Sequence, residues 1–579
     1  MSPKLDLRIN GGTLFDGSGA PRIHGDIGIQ GGRIVEIGIV SGDARETIDA
    51  SGLAVAPGFI DMHTHYDAQV FWDPSLSPSS RLGVTTVVNG NCGFSIAPLS
   101  GNPDDADYLM RMLARVEGMP LESLQQGAPW NWRSFEEYLS RIEGSLAINA
   151  AFMVGHSALR RAVMGRRATA SKATPDEIAG MQALLRMSLA AGGLGFSTSI
   201  SPAHNDADGN PVPSRHASRE EMIALAGVLA EFEGTALELQ PSSAAAFSEN
   251  DLTLMIDVSR AAKRALNWNT LFPNSKIPEV YRAQLAASDI AATRGARIVP
   301  LAAAQVNTLW VNFVSGMILD MYPGWDEIMR LPVEDRKRTL SDPEVRRKMD
   351  AGAHAPEAGE RRILTADWAN WTLSEIFNPS NRPLQGKTVG QVAEMQGKRP
   401  FDAMLDIVVA DDLKTSLMMP PQADDDESWR MLGEVWADER TVIGASDGGA
   451  HLDMIDTFAS CLQILSIGVR ERHLLSLEQA VRQLTSVPAD LMGFRHRGRL
   501  KQGFWADITV FDPDIVGRGP VYTKFDLPGG AGRLYADAVG MRHVIVNGRE
   551  IVRDNQFNEI FPGRILHSGT DTHTVPLAA

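Results

Sequence analysis

Cysteine is almost absent from this chain: Cys92 and Cys461 are the only two in 579 residues. Two thiols so far apart form no disulfide framework, and they suit a reducing compartment. No apolar run reaches membrane-spanning length. The N-terminus, Met1-Ser2-Pro3-Lys4-Leu5-Asp6-Leu7, lacks the long apolar core of a signal peptide. Basic residues are in deficit, with 55 Lys and Arg against 71 Asp and Glu, a formal charge of −16. That balance argues against nucleic acid or an anionic membrane as partner. No internal repeat is visible. From these absences a soluble, cytoplasmic protein is expected. Assembly into a homo-oligomer is left open.

What is present is enough apolar material for a large core, 44% of residues. The length allows roughly two to four domains. The chain is organised around Pro57-Gly58-Phe59-Ile60-Asp61-Met62-His63-Thr64-His65. Its first half reads as a buried strand. Alternate side chains of a strand point the same way, so His63 and His65 face one side at the strand's C-terminal end. Neutral imidazole is the commonest metal-binding side chain. A buried polar cluster needs partners, and a cation is one.

Residues 5–56 read as short strands with Gly-Gly turns, at Gly11-Gly12 and Gly31-Gly32, as in a small β domain. From Phe59 onward, eight apolar strand candidates follow, most separated by helical stretches. They begin near Phe59, Val84, Asn149, Leu194, Thr235, Arg264, Arg297 and Thr441. Thr174-Pro175-Asp176-Glu177 is a helix-start signal. Such alternation implies parallel strands with right-handed crossovers, and eight units close into a barrel. Residues 303–440 are too long for one connection. They read as an excursion with helices, one set spanning Trp325 to Ile363, placed over the strand ends as a lid. Asp424-Asp425-Asp426-Glu427 reads as a solvated loop. Strand character returns at Ala506 to Asp512 and at His543 to Arg549. The polar tail past residue 566 is expected to be disordered. The fold expected is α/β, a (β/α)8 TIM-like barrel with a composite β-sandwich domain built from both chain ends. The expected division is 1–56 and 495–565 for the β domain, 57–494 for the barrel with its insertion at about 303–440, and 566–579 for the tail.

The β-flanked barrel, Pro57 to His65, Ser446-Asp447 and the ending Ala506-Asp507-Ile508 with Val546-Asn547-Gly548 resemble the metal-dependent amidohydrolase superfamily. Three further motifs are similar to its N-acyl-D-amino-acid deacylase branch: Gly83 to Gly93, Val154 to Arg160 and Gly193 to Ser199. The resemblance covers nearly the whole chain. It implies a zinc-type site in which a His-x-His pair and a strand-eight aspartate hold one metal position. A second-strand cysteine and histidines on strands five and six hold the other. His63, His65, Asp447 and Cys92 match. Strands five and six carry no histidine; Glu238 or Gln240, and Asn267 or Asn269, stand there instead. Neutral amides are poor zinc ligands but good hydrogen-bond partners for an amide. One Zn²⁺ rather than two is therefore expected.

The implied reaction is hydrolysis of a linear C–N amide by metal-activated water, with Asp447 also taking the water's proton. His156, His451, Gln240 and Asn269 are candidates for substrate binding. Cys92 fits either a metal contact or a small buried filler. His204 and His216, in the loop after strand four, fit either the site's rim or solvated surface. The segment after Asp447 has no Arg or Lys to clamp a carboxylate, so a bulkier or less charged amide than a simple N-acyl-D-amino acid is expected. A cyclic-amide hydrolase is the alternative enzyme, but Gly195 to Ser199 lacks the lysine that such enzymes commonly carboxylate. A metal-free scaffold of the same descent is the alternative outside enzymes.

Overall fold

A computed structural model describes residues 4–242, 246–306, 308–316, 318–359 and 365–577. Eight parallel strands form the barrel. The first three, Phe59–Asp61, Val84–Asn89 and Asn149–Phe152, pair in order. The third continues as Val154–Gly155 and pairs with Gly195–Ser199. Ala236–Gln240, Leu266–Leu271, Ile298–Ala302 and Val442–Ile443 follow in sequence order. The seam between the last strand and the first is closed by a parallel bridge, Thr64 to Gly448. The His65 N–H donates to Gly448 O at 2.8 Å. Most of these strands are buried along their whole length, which is why they read as continuous apolar or β-branched runs.

The connecting helices start where their capping residues stand. Thr174 caps Pro175–Ala190, and Glu177 returns the bond to the Thr174 backbone, a reciprocal arrangement that satisfies two orphan donors. Only the first half of Asp424 to Glu427 is loop; the helix begins at Asp426. Asp425 caps the helix Asp426–Ala437, its carboxylate accepting from the Ser428 N–H. Asp426 and Glu427 fill the first turn, where negative charge meets the positive end of the helix dipole.

Both chain ends build one β domain. Leu5–Leu14, Ile23–Gln30, Arg33–Gly38, Ala44–Asp49 and Ala54–Pro57 join Ile508–Phe511, Met541–Val546, Arg549–Arg553 and Gln556–Phe557 in a nine-stranded sheet. The Gly31-Gly32 hairpin forms as expected, with Gln30 opposite Arg33. Gly11-Gly12 is no turn; it is an irregularity inside the single strand Leu5–Leu14, a place where glycine weakens pairing without ending it. The tail is ordered through residue 577, contrary to expectation. It packs under the barrel, with Leu566 N–H donating to Ala150 O and His573 N–H to Gly493 O. Polar composition misled here because the polar side chains are themselves bonded to the barrel: the Thr572 hydroxyl donates to Gly234 O at 2.7 Å and Thr574 Oγ1 accepts from the Gly234 N–H at 2.9 Å.

The excursion after strand seven has its own core, with Phe313, Trp325, Trp368, Trp371, Leu373 and Phe401 buried together. It carries a three-stranded sheet, Trp310–Val311, Thr372–Glu375 and Ser416–Met418, as well as helices. Of the expected Trp325 to Ile363 set, Asp326–Met329, Val333–Leu340 and Pro343–Ala353 are helical; residues 360–364 lie outside the described residues. The excursion rests on the loop after strand eight. Trp310 N–H donates to Met454 O at 2.8 Å, and Asn312 Nδ2 donates to Asp453 Oδ2 at 2.7 Å.

Candidate metal centre

Four strand ends bring the chemistry together. His63 and His65 extend the first strand and are buried, with Nε2 atoms facing a common point. Asp447, just past strand eight, places Oδ1 3.3 Å from His63 Nε2 and 3.8 Å from His65 Nε2. Cys92, after strand two, places Sγ 3.5 Å from His63 Nε2. One donor atom each of His63, His65 and Cys92 fits within 4.8 Å of the others. Asn269 Nδ2, from strand six, is 3.4 Å from His63 Nε2. Asp447 is the open side of this cluster: its side chain is 25% exposed, against 0% for His63 and 2% for His65.

The loops that carry these groups are pinned. Ser197 accepts from the Gly93 N–H at 3.0 Å and donates to Gly90 O. Glu238 Oε2 accepts from the Cys92 N–H at 2.9 Å. Gly90 has φ +74°, and a side chain there would sit 2.4 Å from the Met153 carbonyl oxygen. Only glycine allows strands two and three to approach so closely at this point. Asp61 accepts from the Ser446 hydroxyl and from the His63 N–H, tying strand one to strand eight. Cys92, Asp447 and His451 all hold positive φ, 55°, 51° and 47°. Such conformations cost on the order of 1–3 kcal/mol each and persist where surrounding structure enforces them, commonly at functional sites.

The charge pattern calls for a cation. Glu117 is 3% exposed, with Oε2 3.8 Å from His65 Nε2 and 3.7 Å from His451 Nε2. Burial, then the neighbouring Asp447, Asp67 and Glu238, pushes its carboxyl well above the ordinary range. Burial, then Asp447, does the same to Glu238 despite the Cys92 N–H. Burial, then Asp61, raises Asp447 to about 7. The Cys92 thiol is raised by burial and by the same carboxylates. Burial also holds His63 neutral, down to about 3. Neutral imidazoles are the ligand form. No Lys or Arg pairs with Asp447, Glu117 or Glu238 among the described residues. A bound divalent cation inverts this logic and favours the deprotonated acids and thiolate. The donor set, imidazole, carboxylate and thiolate, suits a divalent transition metal.

The other sequence candidates sort by contact. Glu238, not Gln240, meets Cys92; the Gln240 Oε1 is buried without a partner. Asn269, not Asn267, meets His63, while Asn267 donates to Leu237 O. His451 faces Glu117. His204 belongs to the rim, its ring 5.0 Å from Phe94 and Nδ1 2.8 Å from Ser199 Oγ. His156 does not fit a substrate role: Thr198 Oγ1 at 2.8 Å and Glu221 Oε1 at 3.0 Å engage both ring nitrogens, and it is fully buried. Cys461 is buried, as a core filler should be. Glu117 was not foreseen. It follows the helix Pro103–Val116 in a stretch rich in acidic residues, and nothing in the pattern distinguishes it from a solvated glutamate.

Comparison with known proteins identifies the family. Residues 46–552 match the model of the Amidohydrolase family. A D-aminoacylase of Alcaligenes xylosoxydans xylosoxydans is 29% identical over 98% of each chain. A solved D-aminoacylase, studied for one-metal activation and second-metal attenuation at its binuclear metal centre, is 27% identical. It covers 97% of this chain and 100% of its own with a TM-score of 0.66. An N-acyl-D-glutamate deacylase of Bordetella bronchiseptica, solved with zinc and a phosphonate that mimics the tetrahedral intermediate, is 26% identical with a TM-score of 0.65. That match spans 97% of this chain and 100% of the deacylase.

Proposed function

The chain belongs to the Amidohydrolase family, and from that premise we propose that it hydrolyses a linear amide, an N-acyl amino acid or a related amide, at one zinc ion. His63, His65, Asp447 and Cys92 hold the ion. The observation that carries this reading is the convergence of two imidazoles and a thiol within 4.8 Å beside the Asp447 carboxylate. The zinc-bound N-acyl-D-glutamate deacylase supports both metal and substrate class. When bound, zinc supplies Lewis acidity, polarising a carbonyl and making water acidic near neutral pH.

The chain's own groups do the rest. Asp447 Oδ1 borders both imidazoles on the solvent side, where it takes a proton from the attacking water and returns it to the leaving nitrogen. Asn269, whose Oδ1 is buried without a partner, and Gln240 supply hydrogen bonds to the amide in this reading. Glu117 orients His451 towards the same space. One ion is favoured because Asn269 is a weak ligand and Glu238 commits one oxygen to the Cys92 N–H. Strand four, Gly195–Ser199, offers no lysine, which favours a linear over a cyclic amide.

The test is elemental analysis together with a panel of N-acyl amino acids, both enantiomers, and larger amides on the same sample. Close to one zinc per chain and turnover of at least one linear amide are expected; zinc below about a tenth per chain, measured on active protein, removes the four-ligand assignment.

A further inference from the structure

Two histidines hang from neighbouring hydroxyls of strand four, Gly195–Ser199. Thr198 and Ser199 are adjacent, so their side chains point to opposite faces of the strand. Thr198 points towards the helix Arg219–Val228; its hydroxyl meets His156 Nδ1, and Glu221 takes the other ring nitrogen. Ser199 points the other way, into the barrel mouth. Ser197 shares that face and bonds Gly90 and Gly93 in the loop that carries Cys92. Ser197 pairs with Glu238 and Ser199 with Gln240. Glu238 belongs to the layer of Cys92. Ser199 therefore stands beside Gln240, one layer nearer the mouth and roughly 6.6 Å further along the strand.

From there Ser199 Oγ holds His204 Nδ1 at 2.8 Å. The same oxygen accepts from the Ser201 N–H at 3.2 Å. Among the described residues, Nδ1 is the one acceptor in reach of the Ser199 proton. The hydroxyl donates to Nδ1, and the ring's own proton sits on Nε2. Nε2, on the far side of the ring from Ser199, bonds to no described residue and is not sealed from solvent. The ring packs on Phe94, two residues past Cys92. It shares an electrostatic field with His63, His65 and His451. Burial, then His451, Arg215 and His63, keeps it neutral, down to about 3.

The loop holds this group still. The His204 N–H donates to Ser201 O at 3.1 Å. His204 O accepts from the Val212 N–H at 3.2 Å and from Arg215 Nη1 at 3.0 Å. Asp206 Oδ1 closes the turn, accepting from the N–H groups of Asp208 and Asn210 at 3.0 and 2.9 Å. A neutral N–H donor fixed at the mouth, with no partner among the described residues, is suited to a negative charge that develops during reaction.

We propose that His204 is a further catalytic residue: its Nε2–H donates to the scissile carbonyl oxygen as water adds to the carbon and negative charge develops on that oxygen. The proposal rests on the amide-hydrolysis reading above and adds a group to it. His204 keeps its proton throughout, while Asp447 carries the proton from water to the leaving nitrogen.

The test uses the linear amide that wild type cleaves fastest, and the phosphonamidate in which tetrahedral phosphorus replaces its acyl carbon. His204→Ala is expected to lower kcat by about 10²–10³, with KM within about threefold and zinc content by elemental analysis unchanged. Its calorimetric affinity for the phosphonamidate falls in parallel with kcat/KM. His204→Gln, whose side-chain amide donates from a similar reach, recovers about tenfold of the lost rate. Unchanged kcat in His204→Ala, or a raised KM at unchanged kcat, overturns the assignment and leaves amide hydrolysis standing. So does a lost kcat accompanied by lost zinc, by undiminished phosphonamidate affinity, or by a His204→Gln enzyme no faster than His204→Ala. If wild type cleaves no linear amide, the hydrolysis reading fails and this assignment falls with it.

Discussion

Two buried histidine–carboxylate clusters in this barrel are built alike and charged differently. Beside strands three and four, His156, Glu221 and Arg160 are all fully buried. Arg160 Nη1 lies 2.5 Å from both Glu221 oxygens. Burial alone would raise the Glu221 carboxyl, but the His156 hydrogen bond and the Arg160 charge outweigh it and hold it to about 2. At the barrel mouth, Asp447, Glu117 and Glu238 sit among histidines with no such cation, and their carboxyls are pushed up. The first cluster pairs its own charges. The second is left acidic by the fold, which is the condition under which a metal contributes most. A strongly perturbed carboxyl therefore marks function here only where its partner is not supplied by the chain.

The sharpest way to break this contrast is Asp447→Asn. It keeps the shape and removes the carboxylate to which the proposed reaction gives both ligand and base roles, so turnover should fall by about 10³ or more with an unchanged circular dichroism spectrum and melting temperature. Retained activity would sink the role of Asp447. His63→Ala should release zinc, read by elemental analysis; full occupancy would show that the ligands lie elsewhere. At the structural cluster, Arg160→Met should leave Glu221 buried and unpaired. It should cost about 3–5 kcal/mol in urea unfolding while the soluble fraction still binds zinc. Glu117→Gln should act more gently, weakening zinc affinity by roughly tenfold, as loss of an outer partner does; no change in affinity would separate Glu117 from the centre.

The smallest effect is in acid. Glu221 sits below its unfolded value, so its contribution is fully present above about pH 4.5 and is lost as pH falls towards 2. The His156 ring is also held down, by burial, so protons taken up below pH 6.5 favour the unfolded chain. Both act in the same direction. Wild type should therefore lose urea stability between pH 6.5 and 3 more steeply than Glu221→Gln, and parallel curves would show that the cluster is not linked to acid stability.

The barrel was readable from the chain because its signals are local. Eight apolar runs at helical spacing need no knowledge of distant residues, and neither does the Thr174 to Glu177 cap. The His63 and His65 pair was equally legible, since strand periodicity alone puts both imidazoles on one side. Asp425 and the tail past residue 566 were misread because composition reports solvation, not hydrogen-bond geometry. The choice between Glu238 and Gln240, and between Asn267 and Asn269, was beyond the sequence, since barrel closure decides which neighbour faces inward at the mouth.

By itself, then, the sequence determined the strand order, the two-imidazole end of the first strand and the aspartate of the last. Those follow from periodicities of two and 3.6 residues along one chain. The tertiary structure alone decided that Glu117 lies beside His65 and His451, that His156 is satisfied elsewhere, and that the excursion rests on the loop after strand eight. Each of these depends on which distant segments share a charge, a hydrogen bond or an apolar face, and no local pattern encodes that.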